Sequence, residues 1–270
     1  MSTDAQRRVV AVGASAGGVE ALIRLAAGLP RNFPYAVMAV LHLPAEAPPS
    51  QLARILDRSG PLPAVWAAHG DLIETGRIHV AVPNRHLLVS NGRVVLSDGP
   101  IEDGHLPGIN ALFCSVARVY GERAVGVLMS GVLDDGVRGL AAIRARGGIG
   151  TIQTPHDAQF PDLPLHALRA GVVDHQVAAS EVGGLLRQLA DRAADPTDGA
   201  PDKAVDTSTP RTDRLSCAGQ SLTWLLVPAG RLQSKCLTRM YWRTSMWPNR
   251  NRSAVGQVAQ HNTRRDYPDR

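Results

Sequence analysis

Short apolar runs alternate with amphipathic stretches over roughly the first 180 residues, and this alternation constrains the fold more than any other feature of the chain. Val9–Gly13, Ala36–Leu41, Arg77–Val82, Ala124–Met129 and Gly148–Gln153 are predominantly apolar and too short for helices. Such runs suit strands whose two faces are both covered. Helical spacing separates them, over Gly17–Leu29, Ser50–Ser59, Gly108–Tyr120 and Val137–Arg146. In the first of these, Val19, Leu22, Ile23 and Ala26 fall on one stripe. Val172–His175 reads as a further strand, and Ser180–Ala193 as a closing helix with Ser180 at its N-cap. Strands alternating with helices predict an α/β fold with a doubly wound, mostly parallel sheet. Within His86–Ser97, Asn91-Gly92 separates two apolar runs, and both residue types tolerate positive φ, so an antiparallel hairpin is attached.

The texture changes at residue 195. Asp195–Pro210 is rich in Pro, Asp, Thr and Ala and reads as a linker. Residues 211–270 contain no Glu, hold three of the four tryptophans and show no sustained period. The expected organisation is one catalytic domain over 1–194 and a linker with a disordered basic tail over 195–270. The net charge of +5 belongs to that tail. Residues 1–195 carry 17 Lys+Arg against 18 Asp+Glu, which gives no basis for a nucleic-acid surface. No apolar run reaches the roughly 18 residues of a membrane span, and Met1–Arg8 lacks the layout of a secretory signal. Three scattered cysteines do not make a disulfide framework, so a reduced cytoplasmic setting is expected. The sequence leaves the oligomeric state open.

Chemistry concentrates where strands end. Gly13-Ala14-Ser15-Ala16-Gly17-Gly18 joins the first strand to the first helix. Gly-x-Ser-x-Gly in that setting is a nucleophile elbow: small flanking residues allow a sharp turn that holds the hydroxyl out at the sheet's carboxyl edge. The N–H groups that follow open a helix and face any developing oxyanion. The same glycines partly satisfy a phosphate loop, and a plain tight turn is also possible; Ser15 replaces the glycine that would let backbone approach a pyrophosphate. His42 ends the strand Ala36–Leu41 on the same edge, although a lone histidine is usually structural. Ser130-Gly-Val-Leu-Asp-Asp135-Gly follows the strand Ala124–Met129, and its carboxylates could equally cap the next helix. Taken together, Ser15, His42 and Asp135 end three different parallel strands, which brings a nucleophile, a base and an orienting acid to one edge. Asp135 is preferred to Asp134 as the orienting acid, with Gly136 expected to make room for the ring.

From about Arg8 to Val177 these motifs resemble, in order, the catalytic domain of CheB-type chemotaxis methylesterases. The carriers are Gly-Ala-Ser-Ala-Gly-Gly, the strand-ending His42-Leu-Pro, Pro83-x-x-His86-Leu, His105-x-Pro107 and Ser130-Gly-x-x-x-Asp135-Gly. The resemblance implies hydrolysis of γ-glutamyl methyl esters on chemoreceptors, with deamidation of receptor glutamines alongside. It implies Ser15 as nucleophile, His42 as base, Asp135 as orienting acid, and the backbone N–H groups of Ala16 and Val132 as oxyanion hole, without metal or organic cofactor. The chain departs from the pattern at Leu163, Leu165 and Asn110, where relatives commonly differ, and it begins at the catalytic domain, so control by a receiver domain is not expected in cis. Two other readings are a hydrolase of the same fold retargeted to another ester, and an α/β nucleotide-binding module using the Gly-rich turn.

Overall fold

The computed structural model describes residues 8–42 and 51–194. The expected linker and tail, 195–270, and the Leu43-Pro44 pair that follows His42 lie outside the described residues. Seven strands form one sheet in the order β3-β4-β2-β1-β7-β8-β9. They are β1 (Val9–Ala14), β2 (Ala36–Leu41), β3 (Ala64–Trp66), β4 (Ile78–Val80), β7 (Ala124–Leu128), β8 (Ile149–Gln153) and β9 (His175–Val177), and every neighbouring pair is parallel. A separate antiparallel hairpin joins β5 (His86–Ser90) to β6 (Arg93–Ser97). Its turn residues Asn91 and Gly92 have φ of 49° and 70°, the pair of positive values that makes Asn-Gly the preferred two-residue hairpin loop.

Among the described residues six α-helices cover the two faces: α1 (Gly18–Gly28), α2 (Leu52–Ser59), α3 (Ile109–Tyr120), α4 (Val137–Ala145), α5 (Asp162–Arg169) and α6 (Val182–Ala194). The strands feed two cores because their side chains alternate. Val10, Val12, Val37 and Ala39 point into a core shared with Leu22, Leu25, Leu56 and Leu186. Val9, Ala11, Met38 and Val40 point into the other, shared with Leu112, Phe113, Leu140, Ile143 and Leu87 of the hairpin.

The chain leaves β1 toward β2, β4 and β3 on one side, then returns to place β7 against β1's other edge. The order in which strands are added therefore reverses between β1 and β7, and in open α/β sheets a crevice opens at the carboxyl ends there.

Several elements differ from the sequence expectation. The edge strand β3 and helix α5 are additional. A three-residue strand after Pro61 and Pro63 is too short to show a period, and the prolines of the 155–164 segment disguise a helix. Pro164 is tolerated because it sits in the first turn of α5, where N–H groups have no intrahelical partner. Val172 does not open the last strand but closes α5. Gly171 has φ of 66°, its N–H donates to Leu168 O at 3.0 Å, and the Val172 N–H donates to Ala167 O at 3.3 Å. Ser180 lies in a short 3-10 turn (Ala179–Glu181) rather than at an N-cap, and the Glu181 carboxylate accepts the Ala178 N–H at 3.2 Å instead.

Candidate active site

Register sets Ser15 and His42, the expected nucleophile and base, side by side. Parallel pairing sets Ala14 opposite Leu41, so Ser15 and His42 are the next residues of adjacent strands. The His42 N–H donates to Ala14 O at 3.0 Å, extending the ladder by one step. The glycines around Ser15 are required by close packing and by a turn. A Cβ on Gly13 would stand 2.3 Å from Ile109 Cγ2, and one on Gly18 would stand 2.6 Å from Ala14 Cβ. Gly17 turns the chain at φ of 71°, which an L side chain adopts only with strain.

Ser130, fully buried after β7, ties the elbow to its surroundings. Its carbonyl accepts the Ser15 N–H at 2.9 Å, its hydroxyl donates to Ala16 O at 2.7 Å, and the same hydroxyl accepts the Phe160 N–H at 2.9 Å. Its own N–H donates to Gln153 Oε1 at 2.9 Å. The two N–H groups that a phosphate loop would turn on its ligand are partly consumed: Ser15 N on Ser130 O, and Gly18 N on Ser15 O at 2.8 Å. The N–H groups of Ala16 and Val132, by contrast, donate to no backbone carbonyl among the described residues. The loop Gly131–Gly136 stays close to the elbow because Gly131 has no side chain, and a Cβ there would meet both Leu163 and Ser15 Cβ, the latter at 3.1 Å.

Asp135 is 2% exposed, whereas Asp134 is exposed. The Asp135 carboxylate sits at the N-terminus of α3, accepting the Ile109 N–H on Oδ2 at 2.7 Å and the Asn110 N–H on Oδ1 at 2.9 Å. These are first-turn donors with no partner inside the helix, and the helix dipole favours an anion there. Oδ2 also lies 2.9 Å from His42 Nε2, and the approach is oblique to the ring N–H axis. Burial pushes the Asp135 carboxyl up, but the His42 ring and the two backbone donors outweigh it and hold the group below the usual carboxylate range. A carboxylate beside Nε2 favours the tautomer that carries its proton there.

Gly136 has a different reason from the expected one. Its missing side chain spares Leu128 Cδ2, which a Cβ would approach to 2.5 Å, and Ile109 Cγ2, at 2.7 Å, while its φ of 108° turns the loop into α4. Two departures from the family pattern are structural. Leu163 is 1% exposed under the Gly131 loop. Asn110 is buried; its Oδ1 accepts the Gly139 N–H at 2.7 Å and its Nδ2 donates to Asp103 Oδ2 at 2.8 Å. An aspartate at 110 would set a second carboxylate against Asp103.

The sequence reading gave no role to Ser130, Gln153, His86 or His105. His86 is buried, with Nδ1 accepting the Gly108 N–H at 3.0 Å and Nε2 2.9 Å from Pro100 O, so the neutral Nε2–H form uses both nitrogens. The signal available was their place in the quoted motifs, which spacing alone does not convert into a contact. Among the described residues no group of three His, Cys, Asp or Glu could hold a metal ion, and no helix is long and apolar enough to cross a membrane.

Comparison with known proteins bears on the fold and the family. The crystal structure of the Thermotoga maritima CheB methylesterase catalytic domain superposes with a TM-score of 0.65 at 24% identity, over 68% of this chain and 98% of that one. Two proteins of Anaeromyxobacter dehalogenans (strain 2CP-C) are similar in sequence. Protein-glutamate methylesterase/protein-glutamine glutaminase 3 is 41% identical over 66% of this chain and 53% of its own length, and its paralogue 2 is 36% identical over 68% and 54%. The chain thus spans about half the length of the curated relatives it matches. With the family's sequence profile matching residues 10–186, which hold the elbow, the histidine and the buried aspartate, the chain belongs to the CheB methylesterase family.

Proposed function

We propose that the protein is a protein-glutamate methylesterase, hydrolysing γ-glutamyl methyl esters on chemoreceptors in the cytoplasm, with the corresponding glutamine deamidation as a second activity. The observation that carries this reading is the His42–Asp135 contact of 2.9 Å beside Ser15 at the switch point, in a chain of this family. Ser15 Oγ attacks the ester carbonyl while His42 Nδ1 takes its proton. The charge that develops on the carbonyl oxygen is met by the Ala16 and Val132 N–H groups, which donate to no backbone carbonyl among the described residues. Asp135 keeps the proton on Nε2 and stabilises the imidazolium. His42 then protonates departing methoxide, releasing methanol and leaving a glutamyl ester on Ser15. Water, deprotonated by His42, cleaves that ester and returns the serine hydroxyl and a free glutamate. A glutamine substrate follows the same steps with ammonia leaving. Every group needed is a side chain or backbone amide of this chain, so the mechanism calls on no cofactor.

The decisive assay is methanol release from methylated receptor membranes by the wild-type protein and by Ser15→Ala. Release by the wild type and none by the variant supports the reading. Release by neither, with Ser15 still labelled by a fluorophosphonate, would mean a hydrolase acting on another ester.

A further inference from the structure

We propose that His105 is a positioning residue for His42, a flat platform that holds the imidazole against Asp135. The proposal rests on the reading of His42 as the base. The two rings are stacked, with centroids 3.7 Å apart and planes 18° from parallel. His42 needs such a support. It stands one residue past the end of β2, and its contact with Asp135 touches one edge of the ring, obliquely. A single edge contact fixes the ring poorly about that edge, and rocking would disturb the ring's placement beside Ser15, the neighbouring strand-end residue. A second ring against its face removes that freedom.

The loop that presents His105 is clamped. His86 holds both ends of it, through Pro100 O and the Gly108 N–H. Glu102 and His105 exchange backbone hydrogen bonds at 3.2 and 2.8 Å, and Asn110 fastens Asp103 to the start of α3, the same turn that carries Asp135. Platform and orienting acid thus share one foundation.

What this arrangement uses of His105 is its ring face. Its Nε2 is buried and has no hydrogen-bond partner among the described residues. Burial and the neighbouring His42 also lower its pKa, which favours an uncharged ring. A neutral π face is a good neighbour for the imidazolium that forms on His42 during turnover, whereas a second cation would oppose it.

The test compares His105→Phe, which keeps a flat face and discards the nitrogens, with His105→Leu and His105→Ala, which have no flat face. Three readouts serve: the rate of Ser15 labelling by a fluorophosphonate, the melting temperature, and the His42 Nε2–H proton followed by NMR. Labelling of the Phe variant is expected within about threefold of wild type, and the Leu and Ala variants at least about tenfold slower, the scale of a misplaced catalytic group. Melting temperatures should stay close, and the Nε2–H signal should persist in Phe and broaden in Leu. Wild-type labelling in Leu or Ala, or Phe as slow as Leu, would overturn the proposal. Should Ala fail to fold, Phe against Leu, similar in bulk, decides alone. If the wild type itself does not label, the hydrolase reading fails, and the NMR comparison of Phe with Leu still decides the platform.

Discussion

Asp134 and Asp135 are chemically identical neighbours, yet one is exposed and the other holds two backbone N–H groups and a histidine. Replacing Asp135 by asparagine keeps the shape but presents an amide where an anion faces Nε2, which disfavours the tautomer with a basic Nδ1. Asp135→Asn should lower kcat by roughly 10³–10⁴-fold, the scale seen for a triad aspartate, while Asp134→Asn should cost less than about tenfold. Measuring both on one ester substrate settles the ranking, and a reversed order refutes the assignment. Ser15→Ala should abolish burst kinetics and cut kcat by about 10³-fold or more, which leaves only oxyanion and binding contributions. Turnover at the wild-type rate would point to another nucleophile. That Ser15 and His42 would lie together was legible because each directly follows a strand, and strand ends follow from the apolar runs; Asp135 lies in the longer loop after β7, where the sequence marks the loop but not its path. The contacts of Ser130, Gln153 and His86 were not legible, since they join segments 14 to 114 residues apart whose meeting depends on loop paths. Gly136 shows the same limit: the sequence marks a glycine, but only packing reveals that Leu128 and Ile109 require it.

Among the elements, the first turn of α3 does the most for the site. It lies on the face of the sheet to which Ser15 and His42 are delivered, and its free N–H groups fix the carboxylate. Gly13→Ala tests that placement, because its Cβ would collide with Ile109 at the head of α3. Overpacking of this kind costs about 1–3 kcal/mol, and here it would also shift the Asp135 anchor, so labelling of Ser15 should slow more than the stability loss explains. A variant with lowered melting temperature and undiminished labelling would show that the head of α3 moves without consequence. The same turn sets a pH dependence. The folded Asp135 carboxyl lies below its ordinary value of 3.8, so its stabilising contribution is complete above that value and is lost as pH falls through the folded value. The urea stability gap between wild type and Asp135→Asn should therefore close as pH falls below about 4. A gap that stays open on further acidification would contradict the ionised assignment. Helix α5 was the element least visible in sequence, because Pro161 and Pro164 mask its start and the residues that bury it, Leu163 and Ala167, are too few to declare a period.

For the whole molecule, the topology was readable because alternating strands and helices admit few arrangements, and right-handed crossovers with a reversal beside β1 leave one edge for the site. The extent of the folding domain is a separate question, and the described core bears on it. The face of the sheet opposite α3 is closed by α1, α2 and α6, with Val182 and Leu186 fully buried and Leu189 and Ala190 nearly so. The family match ends at residue 186, and the Thermotoga maritima catalytic domain is covered over 98% of its length by 68% of this chain. A chain ending after Ala194 retains every one of these core positions. It should melt within a few degrees of the full-length protein, since a loss of even 1 kcal/mol in a domain of this size would appear as a drop of about 2–4 °C. Its Ser15 should label at the full-length rate. Cutting instead before Val182 removes the buried face of α6 and strips cover from Leu22 and Leu25 in the core it shares with α1, so that shorter chain should fail to fold cooperatively. Thermal unfolding and fluorophosphonate labelling of the two truncations, set against full-length protein, measure the boundary directly. A large loss in the longer truncation would place structural contacts beyond residue 194, and a cooperative transition in the shorter one would show that α6 is dispensable.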